Sequence, residues 1–124
     1  MLATIELCFL AFESIISYLD KASKSPIYNQ FLQFPNSTVE YPMFVTWKKK
    51  SQLRGCIGTF EPKPLYEGIR SCSRSAAFRD TRFSPINFQE ISQLECTVNL
   101  LHSFEDAQNV YDWEIGKHGI ILTI

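Results

Sequence analysis

Leu53-Arg54-Gly55-Cys56-Ile57-Gly58-Thr59-Phe60 sets a thiol between two glycines, with an arginine close by. As an extended strand, its period-2 alternation turns Leu53 and Ile57 toward one face and Arg54, Cys56, Gly58 and Phe60 toward the other. The apolar pair can then face a core. On the opposite face, Arg54 stands two residues from Cys56, where a fixed cation favours the thiolate. Gly55 and Gly58 leave the sulfur uncrowded or allow a bulge that re-aims it. The competing reading makes Cys56 a small buried hydrophobe, since free cysteine is among the most buried residue types.

Moving outward from the octet, Met43-Phe44-Val45-Thr46-Trp47 is β-prone and Lys48-Lys49-Lys50-Ser51-Gln52 is a polar turn, so the octet is the return strand of a hairpin. Three lysines at a hairpin tip read as a solvated turn rather than a phosphate site. Downstream, Leu65, Ile69, Cys72 and Ala76 step by helical intervals from Pro64 to about Arg79. Arg70 and Arg74 lie on a different face of that helix, and Arg79 and Arg82 continue the positive charge. Asp80 and Arg82 sit at the helix exit, where they can pair locally, or Arg82 can present a planar cation to an anionic ligand.

Upstream, Ile5, Cys8, Phe9, Phe12, Ile15, Ile16 and Leu19 form the stripe of an amphipathic helix over about 3–20. Residues 21–42 hold three prolines and read as a connection with one helical turn near 29–32. Leu94–Leu101 alternates as a half-buried strand with Cys96, Val98 and Leu100 inward. A short helix is predicted over 104–111. The final stretch, Ile120–Ile124, is predicted as an apolar strand.

The chain has 124 residues, 45% of them hydrophobic and 14% aromatic, enough for one domain with a real core. Twelve basic residues against thirteen acidic ones leave a net charge of −1, so no overall field draws the chain to nucleic acid or anionic membrane. Cys8, Cys56, Cys72 and Cys96 are widely spaced, without a C-x-x-C pair, which indicates neither a zinc site nor a disulfide framework and favours a reducing compartment. The apolar start lacks a basic n-region and carries Glu6, and Glu13, Ser14 and Ser17 interrupt any membrane span, so an intracellular, soluble protein is expected.

The octet resembles the signature of the AMMECR-one domain family. Tyr41–Lys48 resembles the lead-in of its eukaryotic members, and Asp80-Thr81-Arg82-Phe83-Ser84-Pro85 resembles their D-x-R-F-x-P segment. Phe104-Glu105-Asp106 and Asp112-Trp113-Glu114-Ile115-Gly116-Lys117-His118-Gly119-Ile120 resemble their F-E-D and D-W-E-x-G-x-H-G-I elements. Glu90-Ile91 departs from a common Glu-Leu, and the region that follows the H-G-I strand in members is lacking. The resemblance implies an α+β fold, a largely antiparallel β-sheet with packed helices, here incomplete at the C-terminus. It also implies a cytoplasmic or nuclear protein with a pathway link to Memo-like and radical-SAM-like proteins, and it leaves the molecular activity open.

Two readings of the function follow. In the first, an enzyme or modification factor uses Cys56 as nucleophile or thiolate ligand, with Arg54 stabilising the thiolate and His118 as general base. Arg82, Gly58, Thr59 and Asp80 then bind the substrate. In the second, the domain is a protein- or ligand-binding module whose surface is built from Trp47, Phe60, Phe83 and Trp113. Nucleic-acid binding through Lys48–Lys50, Arg70, Arg74, Arg79 and Arg82 is a third, disfavoured by the charge balance. No metal site is indicated, and the cofactor is left unknown. An unpaired Ile120–Ile124 strand predicts dimers or aggregates of the isolated chain. Size-exclusion chromatography with light scattering checks this, a sharp monomer of 14.3 kDa being the contrary result.

Overall fold

The computed structural model describes residues 5–20 and 39–122. Its elements are helix α1 (Ile5–Leu19), strands β1 (Glu40–Lys49) and β2 (Gln52–Pro64), helix α2 (Leu65–Phe78), a 3-10 turn (Phe88–Gln93) and strand β3 (Leu94–Leu100). The strands form one antiparallel sheet in the order β2-β1-β3, and α1 and α2 pack together and against the sheet. This is the α+β, antiparallel architecture read from the sequence. The helical turn expected near 29–32 lies outside the described residues.

The hairpin turn is tighter than the run of lysines implies. Lys48 and Lys49 belong to β1, and only Lys50 and Ser51 turn, with φ of 51° and 62°. Two successive positive φ angles match the twist of the flanking strands, the geometry of a two-residue hairpin loop.

Along the hairpin Met43, Val45 and Trp47 face inward and are wholly buried. Their partners on β2 are Thr59, Ile57 and Gly55, so Ile57 packs on the core as its alternation requires. Leu53 does not, because Trp47 pairs with Gly55 while Lys48 pairs with Leu53, leaving Arg54 as an extra residue in a bulge. That insertion turns Leu53 to the Lys48 side, where it is 42% exposed. Arg54 leaves the period-2 pattern with it.

Trp47 joins all layers of the core. Its indole N–H donates to the Ser73 carbonyl of α2 at 3.1 Å, and the Phe12 ring of α1 meets it edge-on at 4.9 Å. Trp47 therefore cannot contribute to the partner surface proposed from its aromatic character. Arg74, on the helix face away from the apolar stripe, reaches from α2 to the Ser14 carbonyl and Ser17 hydroxyl of α1 at 2.9 and 3.3 Å.

Residues 101–122 hold turns and bends but neither the predicted helix over 104–111 nor, through residue 122, the predicted strand at 120–124. Tyr111, Ile115 and Leu122 are exposed there. With little apolar surface buried, local propensity has no packing to support it.

The glycines of the octet are explained by clearance. A Cβ on Gly55 would overlap the Ala76 carbonyl of α2, and one on Gly58 would overlap the Met43 carbonyl and the Phe44 ring. Gly55→Val and Gly58→Val are each expected to cost more than about 2 kcal/mol, against about 0.5–1.5 kcal/mol for Ile57→Val. Urea denaturation checks this, and equal midpoints for all three variants would show that clearance at the glycines carries no energetic weight.

Candidate functional site

Cys56 lies opposite Thr46 on the face of the hairpin turned away from Trp47, and Thr46 Oγ1 and Cys56 Sγ stand 3.1 Å apart. The thiol is half-buried. β2 is an edge strand, and at this residue its outer edge is occupied by the loop after α2. The Cys56 N–H donates to Asp80 Oδ2 at 3.0 Å, and the Cys56 carbonyl accepts from Arg82 Nη2 at 3.3 Å. Asp80 and Arg82 thus take the place of a neighbouring strand for one residue.

The local Asp80–Arg82 pairing expected from their spacing is present and bidentate. Arg82 Nε donates to Oδ1 at 3.0 Å and Nη2 to Oδ2 at 2.7 Å, while the Arg82 backbone N–H donates to Oδ1 at 3.2 Å. The Arg82 hydrogen bonds, followed by that from the Cys56 N–H, hold the Asp80 carboxyl well below the usual carboxylate range. In return, Asp80 raises Arg82. The Asp80 side chain is 6% exposed and that of Arg82 58%, so the acid is a buried anchor and the guanidinium is at the surface. The Phe83 ring lies 5.4 Å from the Arg82 guanidinium carbon. Nη1 makes no hydrogen bond among the described residues, leaving donors for an anionic group.

Arg54 is placed elsewhere. Its Nε and Nη2 donate to the two carboxylate oxygens of Glu90 at 3.0 and 3.2 Å, and Nη1 donates to the Ser84 carbonyl at 2.7 Å. Lys49 Nζ joins Glu90 at 3.0 Å. These contacts, the Arg54 hydrogen bond first, bring the Glu90 carboxyl down to about 2. The expectation that Arg54 steers the Cys56 thiol gives way: the cation anchored on Cys56 is Arg82, and the bulge sends Arg54 to a structural ion pair. Glu90 is the residue that sequence reasoning missed. Its signal is present in Asn87-Phe88-Gln89-Glu90, a capping box in which Asn87 Oδ1 accepts from the Glu90 N–H at 3.1 Å and Glu90 Oε2 from the Asn87 N–H at 2.9 Å.

Gly58 and Thr59 line a cleft of about 340 Å³ between β2 and α2, together with Lys63, Ser71, Cys72 and Ser75. Thr59 Oγ1 accepts from the Glu61 N–H at 3.0 Å. Burial pushes the Cys72 thiol up. Asp80 and Arg82, the other two residues assigned to substrate, do not line this cleft.

His118 is engaged within its own segment. Nδ1 accepts from the Glu114 N–H at 2.9 Å, Nε2 lies 3.6 Å from Glu105 Oε1, and none of its hydrogen bonds runs to Cys56. A second cleft, of about 470 Å³, is lined by Tyr41, Pro42, Phe60, Leu101, His102 and Phe104 among others. Among the described residues no group of histidine, cysteine and carboxylate side chains is placed to hold a metal ion, and no helix is long and apolar enough to cross a membrane.

The signature octet, the D-x-R-F-x-P loop packed on it and the segments that follow all fall within residues 8–124, which match the AMMECR1 family. The chain belongs to the AMMECR1 family. It is 38% identical to an uncharacterised Arabidopsis thaliana protein, over 94% of this chain and 54% of that one. An uncharacterised Saccharomyces cerevisiae protein is 35% identical over 92% of this chain and 57% of its own length. The crystal structure of an uncharacterised Pyrococcus horikoshii protein superposes with a TM-score of 0.61 at 28% identity, covering 76% of this chain and 48% of the archaeal one. The chain thus spans about half the length of these AMMECR1 relatives.

Because the Glu90 carboxyl is lowered in the folded state, its stabilising contribution is complete above its ordinary value of 4.5 and is lost as pH falls toward about 2. Asp80 acts in the same direction from 3.8 downward. Glu90→Gln is expected to cost about 1–3 kcal/mol at neutral pH and to flatten the loss of stability on acidification. Urea titrations at neutral pH and in acid check this, and an unchanged acid slope counts against the Arg54–Glu90 pair as its source.

Proposed function

We propose that this AMMECR1-family chain carries the thiol-centred site of an intracellular modification factor, in which Cys56 is the nucleophile or thiolate ligand. Arg82 holds an anionic group of the substrate. The observation that supports this reading is the anchoring of the Arg82 guanidinium on the Cys56 carbonyl, with a buried Asp80 behind it and Nη1 left over. A guanidinium held beside Cys56 with spare donors suits a carboxylate or phosphate brought to the thiol. Thr46 Oγ1, 3.1 Å from the sulfur, supplies one hydrogen bond that can follow the sulfur between its protonation states. In this reading Arg54 holds the bulged strand, and His118, tied to Glu114 and Glu105, has no assigned step.

The cleft walled by Tyr41, Pro42, Phe60 and Phe104 favours a second reading, an intracellular protein-binding module. Phe60 and Phe104 are 54% and 58% exposed, an aromatic pair of the kind that anchors partner contacts. This surface does not involve Cys56.

Iodoacetamide is expected to alkylate Cys56 ahead of Cys8, Cys72 and Cys96 in the native protein, and Arg82→Ala is expected to slow the reaction of Cys56 with the anionic reagent iodoacetate several-fold. Peptide mass mapping over a time course checks both. First labelling of Cys72 or Cys96, or a Cys56 rate indifferent to Arg82, would overturn the thiol-centred reading and leave the binding module.

A further inference from the structure

Cys8 and Cys96 are 88 positions apart in the sequence and are brought together where α1 crosses β3. The Cys8 Sγ donates to the Cys96 carbonyl at 3.7 Å, which sets the two cysteines side by side. Both are half-buried, and both pack on the core from opposite layers, one from a helix and one from the sheet. Cys56 and Cys72 have no such thiol partner among the hydrogen bonds of the described residues. The pairing is unrelated to the chemistry proposed for Cys56.

We infer that Cys8 and Cys96 form an oxidisable dithiol, a modification site that a peroxide closes into a disulfide joining α1 to β3. The Cys8 sulfur attacks the peroxide O–O bond, forming Cys8 sulfenic acid and releasing one water. The Cys96 sulfur then displaces the hydroxyl from Cys8; the S–S bond forms, the S–OH bond breaks, and the Cys96 proton leaves with the hydroxyl as a second water. Two electrons pass from the dithiol to the peroxide. Burial, followed by the Cys8 thiol, pushes the Cys96 thiol up, which suits Cys96 to the resolving role rather than to the first attack. The consequence of the disulfide is a covalent tie between the N-terminal helix and the outer strand of the sheet, reversible by an added thiol.

Titration of the purified protein with hydrogen peroxide, followed by alkylation and non-reducing peptide mapping, tests this. The expected product is an intramolecular Cys8–Cys96 cross-linked peptide, lighter by two hydrogen atoms than the sum of its parts. It should disappear on treatment with dithiothreitol and should be missing from both Cys8→Ser and Cys96→Ser. The wild-type map decides the matter even where a serine variant folds poorly. Cys8 and Cys96 both remaining alkylatable under conditions that oxidise Cys56, a disulfide through Cys56 or Cys72 in place of the Cys8–Cys96 link, or a link only between two chains would each overturn the assignment.

Discussion

The carbonyl of Ala76 occupies the space that a side chain at Gly55 would need, and this contact sets how closely α2 lies on β2. The close approach brings the Ser73 carbonyl within reach of the Trp47 indole and buries the Ile69 and Ala76 side chains against the sheet. It also determines where the chain leaves the helix. From Arg79 onward the loop runs along the outer edge of β2, so Asp80 meets the Cys56 N–H and Arg82 meets the Cys56 carbonyl. An unpaired strand edge is satisfied there by one carboxylate and one guanidinium.

Two arginine–carboxylate pairs hold this region, and their exposure separates their roles. Arg54 and Glu90 have side chains only 13% and 12% exposed, and every charged oxygen is saturated, by Lys49 and the Asn87 N–H as well as by Arg54. Such a pair locks the bulge but has no capacity left for a ligand. Arg82 keeps its acid buried and its own head in water, so the charge needed to place it is satisfied from beneath while donors remain outward. An anion meeting Arg82 finds a cation already oriented, which lowers the ordering cost of binding.

The two readings of function occupy different parts of the hairpin. Cys56 and Thr46 sit at its middle, where β1 is paired on both sides. The aromatic cleft lies at its far end, past a second irregularity at which β2 carries extra residues between Thr59 and Lys63. The AMMECR1 relatives named above are uncharacterised, so family membership defines the fold and leaves the chemistry to the geometry around these residues.

Several elements were legible in the sequence because local patterning and burial agree. The step from Leu65 to Ala76 predicts α2 and the alternation from Leu94 to Leu100 predicts β3. The Asp80–Arg82 pair was legible for the same reason, its partners being two residues apart. The stripe from Ile5 to Leu19 predicts the helix α1 but not its buried face, which runs through Leu7, Leu10, Ala11, Ser14 and Ile15 and leaves Ile5 and Phe9 exposed. What the sequence did not disclose depends on contacts distant along the chain. Arg54 lies on the expected face by alternation, but a bulge and an acid 36 positions away take it from Cys56. Trp47 has the composition of a contact residue, yet α1 and α2 close over it. His118, set between turns like an exposed base, finds its partners at Glu105 and Glu114. Periodicity reports which side of a local element is apolar. It carries no information about which distant charge or carbonyl the packed layers will bring to meet it, and that is settled only when α2 lies against Gly55.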